Sequence, residues 1–187
     1  MSAGSAMRPH ISVKALPCFN DNYCWLITNK AHNTTILVDP AEPSSVLPHI
    51  PKDLELCGSL TTHHHNDHAG GNVEIAGAFP GLSIIGGSQE GGKIPCASRL
   101  VDHGEVFELG GITITALHTP CHTRGHICYY IPAEEDSSPI LFTGDTLFSG
   151  GCGRFFEGDS ATMLSSFDRI MALPPSTQIF CGHEYVE

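Results

Sequence analysis

The sequence predicts an α/β fold built around a substantial sheet, on three observations. Nine short apolar runs rich in β-branched residues recur between turn signals, which is strand patterning. Only three segments carry a helical pattern, so helices are the minority element. The chain has 187 residues, 41% hydrophobic and 16% charged, which suits one globular domain with a sizeable core.

In chain order, residues 1–10 are expected to be disordered or extended, and residues 11–187 to form the domain. Strands are expected at ISVKAL (11–16), YCWLIT (23–28) and TILVD (35–39), followed by a marginal helix in SSVLPHI. LCGSLTT (56–62) is the next strand, then a helix in HAGGNVEIAGAF despite its glycines. LSIIG (82–86), ITITALHT (112–119), HICYYI (126–131) and PILFTGD (139–145) continue the strand series, with EEDSSP (134–139) as an exposed loop. The strongest helix is SATMLSSFDRIMAL (160–173), capped by Asp159 or Ser160, with Met163, Leu164, Phe167, Ile170 and Met171 as its apolar face. TQIFCGH (177–183) closes the series.

The formal net charge of -11, with nine Lys and Arg and no basic run, argues against nucleic acid and anionic membrane surfaces as partners. The eight cysteines form no C-x-x-C pair, no secretory signal core precedes them, and no segment reaches the roughly 20 apolar residues of a membrane span. The expectation is a soluble, monomeric protein of a reducing compartment, the cytoplasm first and the mitochondrial matrix second.

The ends of the strand candidates carry the chemistry. LCGSLTT runs into His63, His64, His65, Asp67 and His68; ITITALHTPC runs into His122; PILFTGD ends at Asp145; TQIFCG ends at His183. Alternation puts His63 and His65 on one face of an extended segment, while Asp67 and His68 fall where the chain turns into a helix and can serve a second position. TTHHHNDH therefore offers half-sites for two metals. Imidazole and carboxylate donors without thiolate suit two divalent ions, zinc first, with iron or manganese also compatible. Two such ions about 3.5–4 Å apart can share a carboxylate and a water whose pKa falls toward about 7, which provides hydroxide at neutral pH.

Blander readings exist for each residue alone. TTHHHNDH could be a solvated loop, Asp145 a turn residue and His183 a satisfied histidine near the terminus. His118 and His126 are expected to be structural, and His10, His32, His49 and His103 to be surface residues. Cys121, beside His122, reads as a small packed residue rather than a nucleophile. Ligand types at four separate strand ends make coincidence a poor explanation.

Through THHHNDHAGG, TPCHTRGH, FTGDTLF and CGHEY, in that order, the chain resembles the metallo-β-lactamase superfamily. Through GDTLFSGGCGRFFEG followed by CGHEY it resembles, more narrowly, the hydroxyacylglutathione hydrolases (glyoxalase II), from about residue 11 to Tyr185. The resemblance implies an αββα sandwich of two packed mixed sheets with outer helices. It implies that His63, His65 and His122 hold one metal, that Asp67, His68 and His183 hold the other, and that Asp145 bridges them. Asp67 and Asp145 would also orient the bridging hydroxide, and His64 and Asn66 would be spacers pointing away. The implied reaction is hydrolysis of S-(2-hydroxyacyl)glutathione, chiefly S-lactoylglutathione to glutathione and D-lactate, in methylglyoxal detoxification. Arg154, Phe155, Phe156, His183, Glu184 and Tyr185 match the segments that hold glutathione.

Two departures stand out. Many relatives carry Lys at position 154 and Tyr at 156, so Phe156 lacks a hydroxyl that could bond substrate. Relatives usually continue past G-H-E-Y into a helical domain with basic residues that grip glutathione, whereas this sequence stops at Glu187. A truncated product with metal but a weakened substrate grip, and a loosely held His183, is the corresponding expectation. The alternatives are a metal-binding pseudoenzyme or regulatory protein and a persulfide dioxygenase, the latter disfavoured by the intact Asp67–His68 pair.

Overall fold

A computed structural model of the chain describes residues 10–134 and 137–185. Most of the expected extended N-terminus, the tip of the 134–139 loop and the last two residues lie outside that range.

The described residues form two sheets. In the first, β1 (Ile11–Cys18), β2 (Asn22–Asn29) and β3 (Thr34–Val38) pair antiparallel, and β4 (Glu55–Leu60), β5 (Ser83–Gly87) and β6 (Arg99–Val101) extend it in parallel. The second comprises β7 (Val106–Leu109), β8 (Ile112–His118), β9 (Ile127–Ile131), β10 (Ile140–Gly144) and β11 (Gln178–Cys181). Its spatial order is β11-β10-β9-β8-β7, with β10 and β11 parallel and the other pairs antiparallel. Both sheets are mixed, as expected.

All nine expected runs are strands. The sequence reading missed β6 and β7. β6 has three residues, two of them exposed, and so shows no buried alternation. β7 is joined to β8 through Gly110 and Gly111, both at positive φ (55° and 71°), with Leu109 opposite Ile112. That is a two-residue hairpin, and its Gly-Gly signal stood in the sequence unread.

Side-chain alternation divides the core into layers. Between the sheets, Ile27, Ile36, Val38, Leu60 and Ile85 meet Phe107, Ile114, Ile127, Tyr129 and Phe142. Outside the first sheet, Leu26 and Leu37 pack with Val46 of helix α1 (Pro43–Val46) and Ile75 of helix α3 (Asn72–Ala78). Outside the second, Leu117, Cys128 and Leu141 are covered by Ile170 and Leu173, the former in helix α4 (Ser160–Met171). The result is the expected αββα order.

Phe142 is fully buried at the centre, 5.4 Å from the Phe180 ring and 6.5 Å from Trp25. Phe142→Ala is expected to cost about 3–5 kcal/mol. The urea midpoint, with an unchanged slope, measures it.

The helices differ in detail from expectation. SSVLPHI divides into the end of α1 and a 3₁₀ turn, Leu47–His49. The HAGGNVEIAGAF helix breaks at its glycines into α2 (Asn66–Ala69) and α3. At Gly71 a Cβ would sit 1.9 Å from the Pro40 carbonyl oxygen, so this close approach requires glycine. Helix α4 is capped by Asp159, whose carboxylate accepts from the Thr162 amide at 2.8 Å. Its expected apolar face is too wide. Met163 is buried, but Leu164 and Met171 are 63% and 79% exposed. One helix on a sheet buries only the arc beneath it, here Met163 and Ser166 with Ile170 half-buried, and the Ser166 hydroxyl donates to the Pro120 carbonyl at 2.8 Å.

Among the described residues, no helix is long and apolar enough to cross a membrane.

Candidate metal centre

The expected ligands come from the C-terminal ends of strands in both sheets. β4 leads into His63 and His65, and α2 carries Asp67 and His68 onward. β8 leads to His122, β10 to Asp145 and β11 to His183. Gly144, the last residue of β10, adopts φ +47°. A Cβ there would lie 2.5 Å from Thr62 Oγ1 and 2.7 Å from His126 Nε2, so glycine lets β10 turn Asp145 into the site.

All seven expected ligands meet. His65 Nδ1 lies 3.1 Å from His63 Nε2 and 2.9 Å from His122 Nε2. His68 Nε2 and His183 Nε2 are 3.2 Å apart, and Asp67 Oδ2 is 3.7 Å and 3.4 Å from them. Asp145 reaches both groups: Oδ2 is 3.2 Å from His122 Nε2, and Oδ1 is 3.1 Å from His68 Nε2 and 3.4 Å from His183 Nε2. Two triads, His63–His65–His122 and Asp67–His68–His183, each converge closely enough to hold a metal ion.

The donors fit a metal on independent grounds. Asp145 Oδ1 is buried without a well-aligned hydrogen bond although His68 Nε2 and His183 Nε2 lie 3.1 and 3.4 Å away, an arrangement that a cation shared among the three would satisfy. Burial pushes His63 well below the ordinary histidine range and, with His122 nearby, takes His65 down to about 4; His122 is also lowered by burial. Neutral imidazoles with facing lone pairs are what a metal requires. In the other triad burial acts downward as well, but carboxylates outweigh it. Asp145 and Asp39 raise His68, and Asp145 and Asp67 raise His183 to about 10. That corner attracts positive charge.

Outer contacts fix the rings. His68 Nδ1 lies 2.9 Å from Asp39 Oδ2, His183 Nδ1 is 3.0 Å from Asp21 Oδ1, and His122 Nδ1 is 2.9 Å from the Arg154 carbonyl oxygen. The Asn22 side-chain amide donates to the Asp67 carbonyl at 3.0 Å and to its carboxylate at 3.3 Å. His126 stacks on His63 and accepts from the Asp145 amide through Nε2 at 3.1 Å, so its structural role serves the site. Such contacts set the tautomer and direction of metal-binding imidazoles. The expectation of a loosely held His183 loses its physical ground, because His183 is 4% exposed and the neighbouring Gly182 carbonyl accepts from the Tyr23 amide at 2.8 Å.

Sequence reading missed Asp21, Asn22 and Asp39. For Asp39 the signal was present, since TILVD ends a strand on an acid as PILFTGD does. Asp21 immediately precedes β2 and Asn22 begins it, where that signal does not look. Of the spacers, His64 turns away and its Nδ1 meets Glu90 Oε2, whereas Asn66 lines the cleft. His10, His32, His49 and His103 are exposed as expected. Cys121 is buried, its thiol directed at the Asp159 carbonyl and raised in pKa by burial, which suits packing rather than attack.

A cleft of about 600 Å³ opens over the metal-type residues. Arg154 and Phe156 form one wall, the guanidinium 5.3 Å from the ring, and Phe156 meets His65 and His122 edge to face at 5.4 and 5.2 Å. Phe148 and Tyr185 form the other, with Tyr185 stacked on His183 at 4.9 Å. Burial, reinforced by Asp145, lifts the Tyr185 phenol to about 12, so it stays protonated and can donate. Phe155 and Glu184 are exposed and lie outside this lining; Phe148 was not anticipated.

Comparison with known proteins agrees with this geometry. The family model described as the metallo-beta-lactamase superfamily matches residues 19–183. The chain is 46% identical over 173 residues to the cytoplasmic hydroxyacylglutathione hydrolase of Arabidopsis thaliana, covering 91% of this chain and 66% of that one. It is 44% identical to a probable hydroxyacylglutathione hydrolase of Schizosaccharomyces pombe, covering 89% and 65%. The chain thus spans about two thirds of the length of these curated relatives. Among solved structures, TTHA1623 in a di-iron-bound form superposes with a TM-score of 0.73 at 26% identity, covering 92% of both chains. The chain belongs to the metallo-β-lactamase superfamily and, within it, to the hydroxyacylglutathione hydrolase family.

Proposed function

We propose that this chain hydrolyses S-(2-hydroxyacyl)glutathione thioesters, chiefly S-lactoylglutathione to glutathione and D-lactate, with residues 11–187 acting as one metal-dependent unit. The observation that carries the reading is Asp145, a buried carboxylate within 3.2 Å of histidines from both triads, at the floor of a cleft flanked by Arg154. The relatives' names supply the substrate class.

In this reading His63, His65 and His122 hold one divalent ion, Asp67, His68 and His183 hold a second, and Asp145 contributes to both. Zinc suits the donor set best, and iron or manganese also fit; the di-iron form of a structural relative supports iron. Bound there, the ions would lower the pKa of water and polarise the thioester carbonyl.

The chain's own groups do the rest. Asp67 and Asp145 orient the attacking water between the triads. Arg154 pairs with a glutathione carboxylate, with Phe156 beneath its guanidinium, and Tyr185 donates to the substrate from the opposite wall. Water adds its oxygen to the acyl carbon, the C–S bond breaks, and the products are a carboxylate and a thiol. No serine or cysteine nucleophile is needed. The cytoplasm is the proposed setting, as in the name of the Arabidopsis relative.

The test is purified protein, counted for metal and assayed for thiol release from S-lactoylglutathione beside His65→Ala. The expected result is up to two ions per chain, measurable turnover, and a loss of at least about 100-fold in the variant, beyond the cost of a merely supporting group. Full activity in His65→Ala would overturn the ligand assignment. A metal-loaded but inactive wild type would favour the non-enzyme reading, and oxygen uptake with glutathione persulfide would favour the dioxygenase.

A further inference from the structure

The mechanism above leaves unused one buried carboxylate, Glu90, and one histidine of the TTHHHNDH stretch, His64. They touch each other. Glu90 is 2% exposed, at the end of the 3₁₀ turn Ser88–Glu90 that follows β5. Its Oε2 meets His64 Nδ1, and its Oε1 accepts from the Thr123 hydroxyl at 2.5 Å. His64 stands between His63 and His65, and Thr123 directly follows His122. A single carboxylate thus spans both loops that supply the all-histidine triad, through His64 and Thr123.

We propose that Glu90 is a positioning residue that holds the His63–His65 loop and the His122 loop in register, and so sets the affinity of the all-histidine triad for its metal ion. The inference rests on the metal reading above. It follows from how differently the two triads are supported. Carboxylates bear directly on rings of the other triad, Asp39 on His68 and Asp21 on His183. In the all-histidine triad, His63 Nδ1 rests on the Thr62 hydroxyl and His122 Nδ1 on the Arg154 carbonyl. His65 is the least buried of the three, and its ring packs 5.0 Å from His64. The place of His65 is therefore set through its loop, and that loop is tied through His64 to Glu90.

Backbone fit supports the same tie. A Cβ on Gly125 would lie 2.2 Å from the Glu90 amide nitrogen, and one on Gly87 would lie 2.2 Å from the Gly125 carbonyl oxygen. The turn and the His122 loop are thus in direct main-chain contact. Burying a carboxylate is costly unless donors satisfy it, and here the donors are the two loops.

The test isolates each triad in the full chain. His183→Ala leaves the all-histidine triad, and His122→Ala leaves the other; Glu90→Ala and Glu90→Gln are added to each. Zinc affinity is read by competition with a chromophoric chelator, and the cobalt-loaded forms by their visible absorption. In the His183→Ala background, Glu90→Ala is expected to weaken zinc about 10–100-fold, as loss of an outer partner does, and to alter the cobalt spectrum. Gln, with the same length and one acceptor oxygen, recovers most of that affinity. In the His122→Ala background Glu90→Ala leaves affinity unchanged. Equal losses in both backgrounds, or none in either, would overturn the inference. A wild-type chain that binds no zinc would show that the metal reading itself has failed, and the inference with it.

Discussion

Asp145→Ala is expected to lower thioester hydrolysis by more than about 100-fold and to weaken retention of both metal ions together. The reason is its position. Other expected ligands serve one triad, whereas Asp145 approaches His122 with one oxygen and His68 and His183 with the other. Truncation removes from both triads the shared negative charge that would face a cation at each. A purely supporting residue costs about 10–100-fold, so a larger loss marks direct participation. Metal counting after graded chelation, with kcat and KM measured separately, checks this. If only one ion is lost and the other retains wild-type affinity, Asp145 is not shared.

The second large effect is expected at Asp39, which lies outside the ligand set. Its carboxylate accepts from the Thr62 amide at 2.8 Å, the Thr62 hydroxyl at 2.7 Å and the His68 imidazole at 2.9 Å, all buried. Asp39→Ala strands these donors, and each buried unsatisfied donor costs about 1–3 kcal/mol. Asp39 also has φ +51°, a left-handed conformation that aspartate tolerates better than alanine. A loss of roughly 3 kcal/mol or more in metal-free stability follows, with zinc held 10–100-fold less tightly in the His68 triad. Asn in place of Asp keeps an acceptor for Thr62 and tolerates the backbone, so it should restore most of the stability and less of the affinity. Urea unfolding of the metal-free protein separates the two effects.

That Asp39 was overlooked while Asp145 was not says what a sequence displays. Candidate ligands such as His63, His65 and His122 were legible because histidines at strand ends have few other uses in that density. Their order along the chain then identified the superfamily. The strands were legible because the space between two sheets demands alternation, as Ile36, Leu37 and Val38 show by facing core, helix side and core again. What stayed hidden depends on partners distant in sequence. Asp21 and Asn22 acquire a role only when the start of β2 meets the Gly182–His183 segment after β11, and Glu90 only when its turn meets the His122 loop. The face of α4 was misjudged for a related reason: Leu164 is as apolar as its neighbours, and only the sheet beneath decides which arc is covered.

The division of the proposed ligands between sheets has a mechanical meaning. His63, His65, Asp67 and His68 come from the first sheet's side, and His122, Asp145 and His183 from the second's. Each triad therefore straddles the seam, and neither half of the sandwich can complete one alone. The ions would act as rivets along that edge, and metal release would report the sheets parting before the strands within either of them unravel.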